Sequence, residues 1–127
     1  MNSLLPKNRR RFGQKQETLA AEYLRKQGLK LLQSNYHCRA GEIDLIMIDT
    51  LSQLVFIEVR YRSQNTFGCA LSSVTAAKQR KVRLSAAQFL ASKANLSHLS
   101  CRFDVMGISP EITGDKVKFE WIKNAFY

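Results

Sequence analysis

The sequence predicts an α/β fold, a sandwich in which helices flank a central mixed β-sheet in the order α-β-β-β-α-β-β. Three observations carry this. Two neighbouring apolar runs of strand length, Gly41 to Ile48 and Leu54 to Arg62, are separated by a break, Asp49-Thr50-Leu51-Ser52-Gln53, of hairpin length. Helical spacing of apolar residues lies on either side of that pair, over about Gln14 to Gln27 and Ser72 to Ala94. Lys116 to Ile122 alternates between polar and apolar residues, as a half-exposed antiparallel strand does.

Taken in order, residues 1–12 read as a basic, flexible tail in which Lys7, Arg9, Arg10 and Arg11 either meet phosphates or are simply solvated. Leu19, Ala20, Tyr23 and Leu24 then recur at helical spacing, and Gly28 supplies a stop. Leu29 to Cys38 reads as a first strand, with Arg39-Ala40-Gly41 turning into the hairpin. Arg39 holds a phosphate or pairs with Glu42; both readings are open. Ser63 to Gly68 is polar and turn-prone, hence a loop. The long helix presents Val74, Ala77, Val82, Ala86, Phe89 and Leu90 as its apolar stripe and carries Lys78, Arg80, Lys81 and Arg83 elsewhere. That basic face either follows a nucleic-acid backbone or is a solvated surface. Cys101 to Ile108 reads as a strand in which Asp104 pairs with a basic neighbour, and Ser109 to Asp115 as a loop. The aromatic end, Phe126 and Tyr127, covers the core or forms a subunit contact.

The hairpin poses a chemical problem. Alternate residues of a strand share a face, so Glu42 and Asp44 are expected beside Ile46 and Ile48, and Glu58, Arg60 and Arg62 beside Leu54 and Phe56. A register that sets Asp44 opposite Glu58 brings two carboxylates together among apolar neighbours. At a separation of about 4 Å and an effective dielectric near 20 they would repel by roughly 4 kcal/mol. A positive group must sit between them: a hard divalent cation, a basic side chain, or both. Such an arrangement suits phosphodiester cleavage.

Gly-Glu-Ile-Asp-Leu-Ile from Gly41, Val-Phe-Ile-Glu-Val-x-x-Arg from Val55 as far as Arg62, Phe67-Gly68, Lys78-Gln79-Arg80 and Arg102-Phe103-Asp104-Val105 together resemble the YraN-type family of uncharacterised bacterial proteins. The resemblance spans roughly Gly13 to Ile108. It implies a restriction-endonuclease-like three-layer sandwich and a nuclease related to archaeal Holliday-junction resolvases. Carried over residue by residue, it implies an acidic site of Glu17, Asp44 and Glu58, with Arg60 standing where the wider nuclease pattern has lysine. Without the resemblance, Glu17 reads as a solvated carboxylate in the first turn of its helix. The resemblance further implies that Asp44, Glu58 and the Val59 carbonyl hold Mg2+ or Mn2+, and that Glu17 orients the attacking water or a second metal. Lys78 is the candidate to supply the missing lysine.

Composition agrees with a polyanionic partner. The 127 residues include 20 Lys and Arg against 10 Asp and Glu, a net charge of +10. Hydrophobic content of 45% suits a globular chain of one domain, residues 1–127, able to bury a core without staples. The three cysteines, Cys38, Cys69 and Cys101, are not at metal-ligand spacing and read as reduced thiols of a cytoplasmic protein. No apolar stretch is long enough to cross a bilayer, and no membrane partner is expected. The expected function is a metal-dependent endonuclease acting on DNA, branched DNA included, with Arg39, Arg62, Lys78, Arg80, Lys81 and Arg83 as contacts to the nucleic acid. The alternative is a non-catalytic nucleic-acid-binding protein whose site has decayed, Arg60 simply neutralising Glu58. A twofold homodimer is open, because a junction offers two symmetric strands.

Overall fold

The computed structural model describes residues 7–63, 70–111 and 116–127. Among these residues two α-helices and five strands follow in the expected order: α1 (Lys7–Lys26), β1 (Lys30–Cys38), β2 (Gly41–Ile48), β3 (Leu54–Tyr61), α2 (Ala76–Ser92), β4 (Cys101–Pro110) and β5 (Val117–Phe126). The strands form one mixed sheet in the sequential order β1-β2-β3-β4-β5. Only β3 and β4 run parallel, joined by the crossover through α2; the other neighbours are antiparallel.

The sheet is buried on both faces, giving three layers. Ala20, Ala21 and Leu24 of α1 pack on Leu45, Met47, Val55, Ile57, Met106 and Ile108. On the opposite face Val82, Ala86 and Phe89 of α2 pack on Ile43, Ile46, Leu54, Phe56 and Val105. Phe56 meets Phe89 edge-on and stacks on Phe103, which in turn stacks on Phe126. The C-terminal aromatic Phe126 is therefore a core residue, whereas Tyr127 is exposed.

Local chemistry sets the helix ends. Gly28, at φ +103°, closes α1: its N–H donates to the Arg25 carbonyl and the Leu29 N–H to that of Leu24, with Leu24 and Leu29 both in the core. At the other end α1 begins at Lys7, not at Gln14, so residues 7–12 belong to the helix and not to a tail. Arg, Lys and Gln are good helix formers, and their helicity needs no apolar periodicity. Residues 1–6, and the side chains of Lys7, Arg9 and Arg10, lie outside the described ones. The start of α2 is set by Thr75, whose hydroxyl accepts from the Lys78 N–H at 3.2 Å. The sequence expectation of a start near Ser72 falls instead on a short 3-10 turn, Ala70–Ser73. Ala77 is exposed, and the buried stripe is Val82, Ser85, Ala86 and Phe89.

Asp104 is fully buried and accepts from Arg102 Nε at 3.1 Å, Trp121 Nε1 at 2.9 Å and the Asn124 N–H at 2.9 Å. Arg102 also reaches Asp49 at 2.6 Å, and Asp49 caps the hairpin turn through the N–H groups of Leu51 and Gln53. This network ties β4, β5 and the hairpin turn at one end of the sheet. The acidic site lies at the other.

Candidate active site

The hairpin forks where its acids begin. Backbone pairing between β2 and β3 runs from Ile48 and Leu54 to Leu45 and Ile57 and stops there. Beyond that point β2 stays with β1 as far as Gly41, and β3 stays with β4 as far as Tyr61. In the fork the Val59 N–H donates to Asp44 Oδ2 at 2.9 Å, a side chain taking the place of a ladder carbonyl. A residue's N–H and C=O leave an extended strand on the same side, so the Val59 carbonyl is directed toward β2 as well.

One expectation fails at this point. Asp44 does not share a simple face with Ile46 and Ile48, because the alternation of β2 breaks around it. Ile43 packs on the α2 side with Ile46, while Leu45 packs on the α1 side. Opposite the break, Asn35 of β1 sits at φ +53°, a left-handed conformation that Asn tolerates better than most residues. The local kink turns the Asp44 carboxylate into the fork.

Glu58 keeps its expected face and is almost inaccessible, at 2% side-chain exposure. Arg60 lies 3.4 Å and Lys78 3.7 Å from its Oε2. Lys78 arrives there from the first turn of α2, held by the Thr75 cap. Glu17 enters from α1. It is not in the first turn, as α1 starts earlier than expected, but well inside the helix, and it approaches Asp44 and Asn35. Glu17, Asp44, Glu58, Val59, Arg60 and Lys78 thus line one cleft of about 300 Å³, together with Gln16 and Glu42.

The electrostatics of the cleft are those of crowded carboxylates. Burial, then the neighbouring Asp44, pushes Glu58 up to about 8 even though two cations face it. Burial and Asp44 likewise raise Glu17 to about 7. Asp44 is raised by burial, against the opposing hydrogen bond from Val59. Two cations share one Glu58 oxygen, and among the described residues its Oε1 is buried without a partner, as are Gln16 Oε1, Glu17 Oε1 and Arg60 Nε. Buried polar atoms without partners are costly, and here they gather around one cleft.

Among the described residues, no group of three or more His, Cys, Asp or Glu side chains could by itself hold a metal ion. The candidate donors in the cleft are the two carboxylates of Asp44 and Glu58 and the Val59 carbonyl. That set fits Mg2+, which commonly takes one or two carboxylates and completes its shell with water and substrate phosphate.

The basic residues divide. Arg39 is exposed in the β1–β2 turn, and Lys81 flanks the same turn, its Cβ within 3.6 Å of where a Gly41 side chain would begin. Arg80 is exposed on α2. Arg62 is half-buried at the end of β3, its N–H donating to the Ile108 carbonyl. Arg83 is not near the cleft: it donates to the Tyr127 carbonyl at 2.8 Å, beside the Phe103–Phe126 stack at the opposite end of the sheet. The proposed pairing of Arg39 with Glu42 is replaced by His37, whose Nδ1 lies 3.3 Å from Glu42. Phe67, Gly68 and Cys69, and residues 112–115 of the last loop, lie outside the described residues; Cys38 and Cys101 are free thiols.

Gln16 was the residue hardest to foresee. It is buried and lines the cleft, and its one signal is a polar side chain four residues before Ala20 on the apolar stripe of α1.

Comparison with known proteins adds a family. The family model described as "Uncharacterised protein family UPF0102" matches residues 16–108. A UPF0102 protein of Nitrosococcus oceani is 47% identical over 121 residues, covering 95% of each chain. One from Alcanivorax borkumensis is 44% identical over 123 residues, covering 97% of each. Among solved structures, SfsA of Pyrococcus furiosus in complex with Ca2+ aligns over 89% of this chain and 63% of its own, at 10% identity and a TM-score of 0.34, too low to support any argument. No helix among the described residues is long and apolar enough to cross a membrane.

Proposed function

We propose that this chain, which belongs to the uncharacterised protein family UPF0102, is a metal-dependent endonuclease acting on DNA, with branched, junction-like DNA among its substrates. The observation that carries the reading is the cleft itself. Asp44, Glu58 and Glu17 crowd a partly buried site with raised proton affinities and unpartnered oxygens, in a molecule of net charge +10. Crowded acids facing an excess of positive charge suit a divalent cation and a phosphodiester.

Asp44, Glu58 and the Val59 carbonyl would hold Mg2+ or Mn2+. When bound, the cation would polarise the phosphodiester and make a nearby water more acidic. The chain's own groups supply the rest. The Val59 N–H holds one oxygen of the Asp44 carboxylate, which lines the cleft. Glu17, titrating near 7, is matched to accept a proton from an attacking water at neutral pH. Lys78 offers an ammonium on the α2 side of Glu58, where it can neutralise charge developing on the phosphate. Arg60 can share that task but cannot relay a proton, because guanidinium does not give one up in proteins. Arg39, Lys81, Arg80 and Arg62 are proposed as backbone contacts.

A second reading has one observation in its favour. Arg60 and Lys78 both face Glu58 Oε2, which is how a decayed site would neutralise its acid while still binding nucleic acid. The two readings separate in one assay: nicking of four-way junction, single-stranded and duplex DNA with Mg2+ or Mn2+, by the parent and by Asp44→Asn/Glu58→Gln. Metal-dependent cleavage lost in the variant supports the enzyme. No cleavage by either supports the binding protein, and equal cleavage by both marks a contaminant and overturns the assignment.

A further inference from the structure

Beside the acidic cleft lies a second cavity, of about 510 Å³, lined by Phe12, Lys15, Gln16, Leu19, Tyr61, Glu111, Lys116 and Val117. Phe12, Gln16 and Tyr61 line both, so the two are neighbours that share a wall. Phe12 and Tyr61 are 44% and 41% exposed, unusual for two large rings at the edge of a polar site. They contact each other edge-on, with centroids 4.8 Å apart and planes at 84°. Among the described residues, no other ring stacks on either of them. Lys15, Lys116 and Glu111 line the same cavity as the pair.

We infer that the Phe12–Tyr61 pair is a stacking platform for an unpaired nucleobase of the strand that passes through the acidic cleft. This rests on the nuclease reading only in requiring a phosphodiester strand there. The chemistry follows from the neighbours. An exposed ring with two lysines and one acid, Glu111, in the same cavity matches a base stacked on the ring with its backbone phosphates near the ammonium groups. The shared wall puts the base within a few nucleotides of a phosphate in the acidic cleft. A base inside a duplex has both faces covered by its neighbours and cannot use such a platform. The preferred substrate is then one with a splayed or single-stranded nucleotide at the site: a single strand, a flap or the branch point of a junction.

The test uses the full chain carrying Asp44→Asn/Glu58→Gln, so that nothing is cut, and single-stranded 12-mers of DNA and of RNA, each with one 2-aminopurine, against the same DNA in a duplex. Binding of a single strand should change the 2-aminopurine emission. Adding Phe12→Leu or Tyr61→Leu should weaken single-strand binding by roughly tenfold and leave duplex binding unchanged, while Phe12→Trp restores it. Thermal melts show whether each variant is folded. No binding of either single strand at low salt, no emission change at saturation, or equal losses on single strand and duplex would each overturn the platform. Cleavage is not read, so a failed nuclease assignment leaves this result interpretable, and the reverse also holds.

Discussion

The Val59 N–H donates to Asp44 Oδ2 at 2.9 Å, one step beyond the last backbone pair of the β2–β3 ladder. That single bond relates fold to chemistry. It lies where the hairpin pairing ends and holds one oxygen of the carboxylate. Asp44→Asn keeps an oxygen acceptor for Val59 and should fold normally, while cleavage falls by about a hundredfold or more. Asp44→Ala should lose activity and also leave the Val59 N–H without a partner, costing about 1–3 kcal/mol in urea unfolding. Equal stability of the Asn and Ala variants would mean that the bond does not shape the fork.

The crowded acids make stability depend on pH in a definite direction. Glu58 and Glu17 titrate near 8 and 7 in the folded protein against the usual 4.5, so the folded state holds protons that the unfolded chain has already released. Their contribution is fully present below about 4.5 and is lost as pH rises through 7 and 8. The melting temperature without divalent cation should fall over that window, and Glu58→Gln should flatten the fall. Saturating Mn2+ should raise the melting temperature more at pH 8 than at pH 5, because ionised carboxylates bind the ion.

Lys78 and Arg60 should separate in their roles. Lys78→Met should lower the cleavage rate by about 10²–10³-fold, the scale of removing one group aimed at developing charge. Arg60→Lys, which keeps a cation near Glu58, should retain or raise activity. The reverse pattern would move the essential cation from α2 to β3.

Two structural sites should matter without touching the chemistry. A Cβ on Gly107 would lie 2.6 Å from Ala70 Cβ, so Gly107→Ala should cost about 1–3 kcal/mol by overpacking, with Ala70→Gly giving partial relief. Asp104→Ala would leave Arg102, Trp121 Nε1 and the Asn124 N–H without their shared acceptor. Removing one partner of a buried pair costs about 3–5 kcal/mol, which urea unfolding would register.

Much of this was legible in the chain. The hairpin strands could be read because Ile, Val, Leu and Phe cluster between turn residues, and their bounds differ from the observed ones only at Arg62. Gly28 as a stop and Asp104 as the partner of a basic neighbour followed from residue chemistry alone. What sequence hid was set by tertiary placement. The start of α1 lies in Lys- and Arg-rich chain that carries no apolar period. The break at Asp44 depends on Asn35 across the sheet, and no spacing within β2 reveals it. Lys78 and Glu58 are twenty residues apart, and only the crossover brings them together. Arg83, by contrast, belongs to the basic face by sequence, but helical geometry turns it toward Tyr127.

Titration calorimetry with Mn2+ at neutral pH tests the central claim most directly, by comparing the parent with Asp44→Asn/Glu58→Gln in buffers of different ionisation enthalpy. The account predicts saturable binding to the parent, with protons released as the raised carboxylates ionise, and no such binding to the variant. Binding of equal strength to both, or to neither, would contradict it.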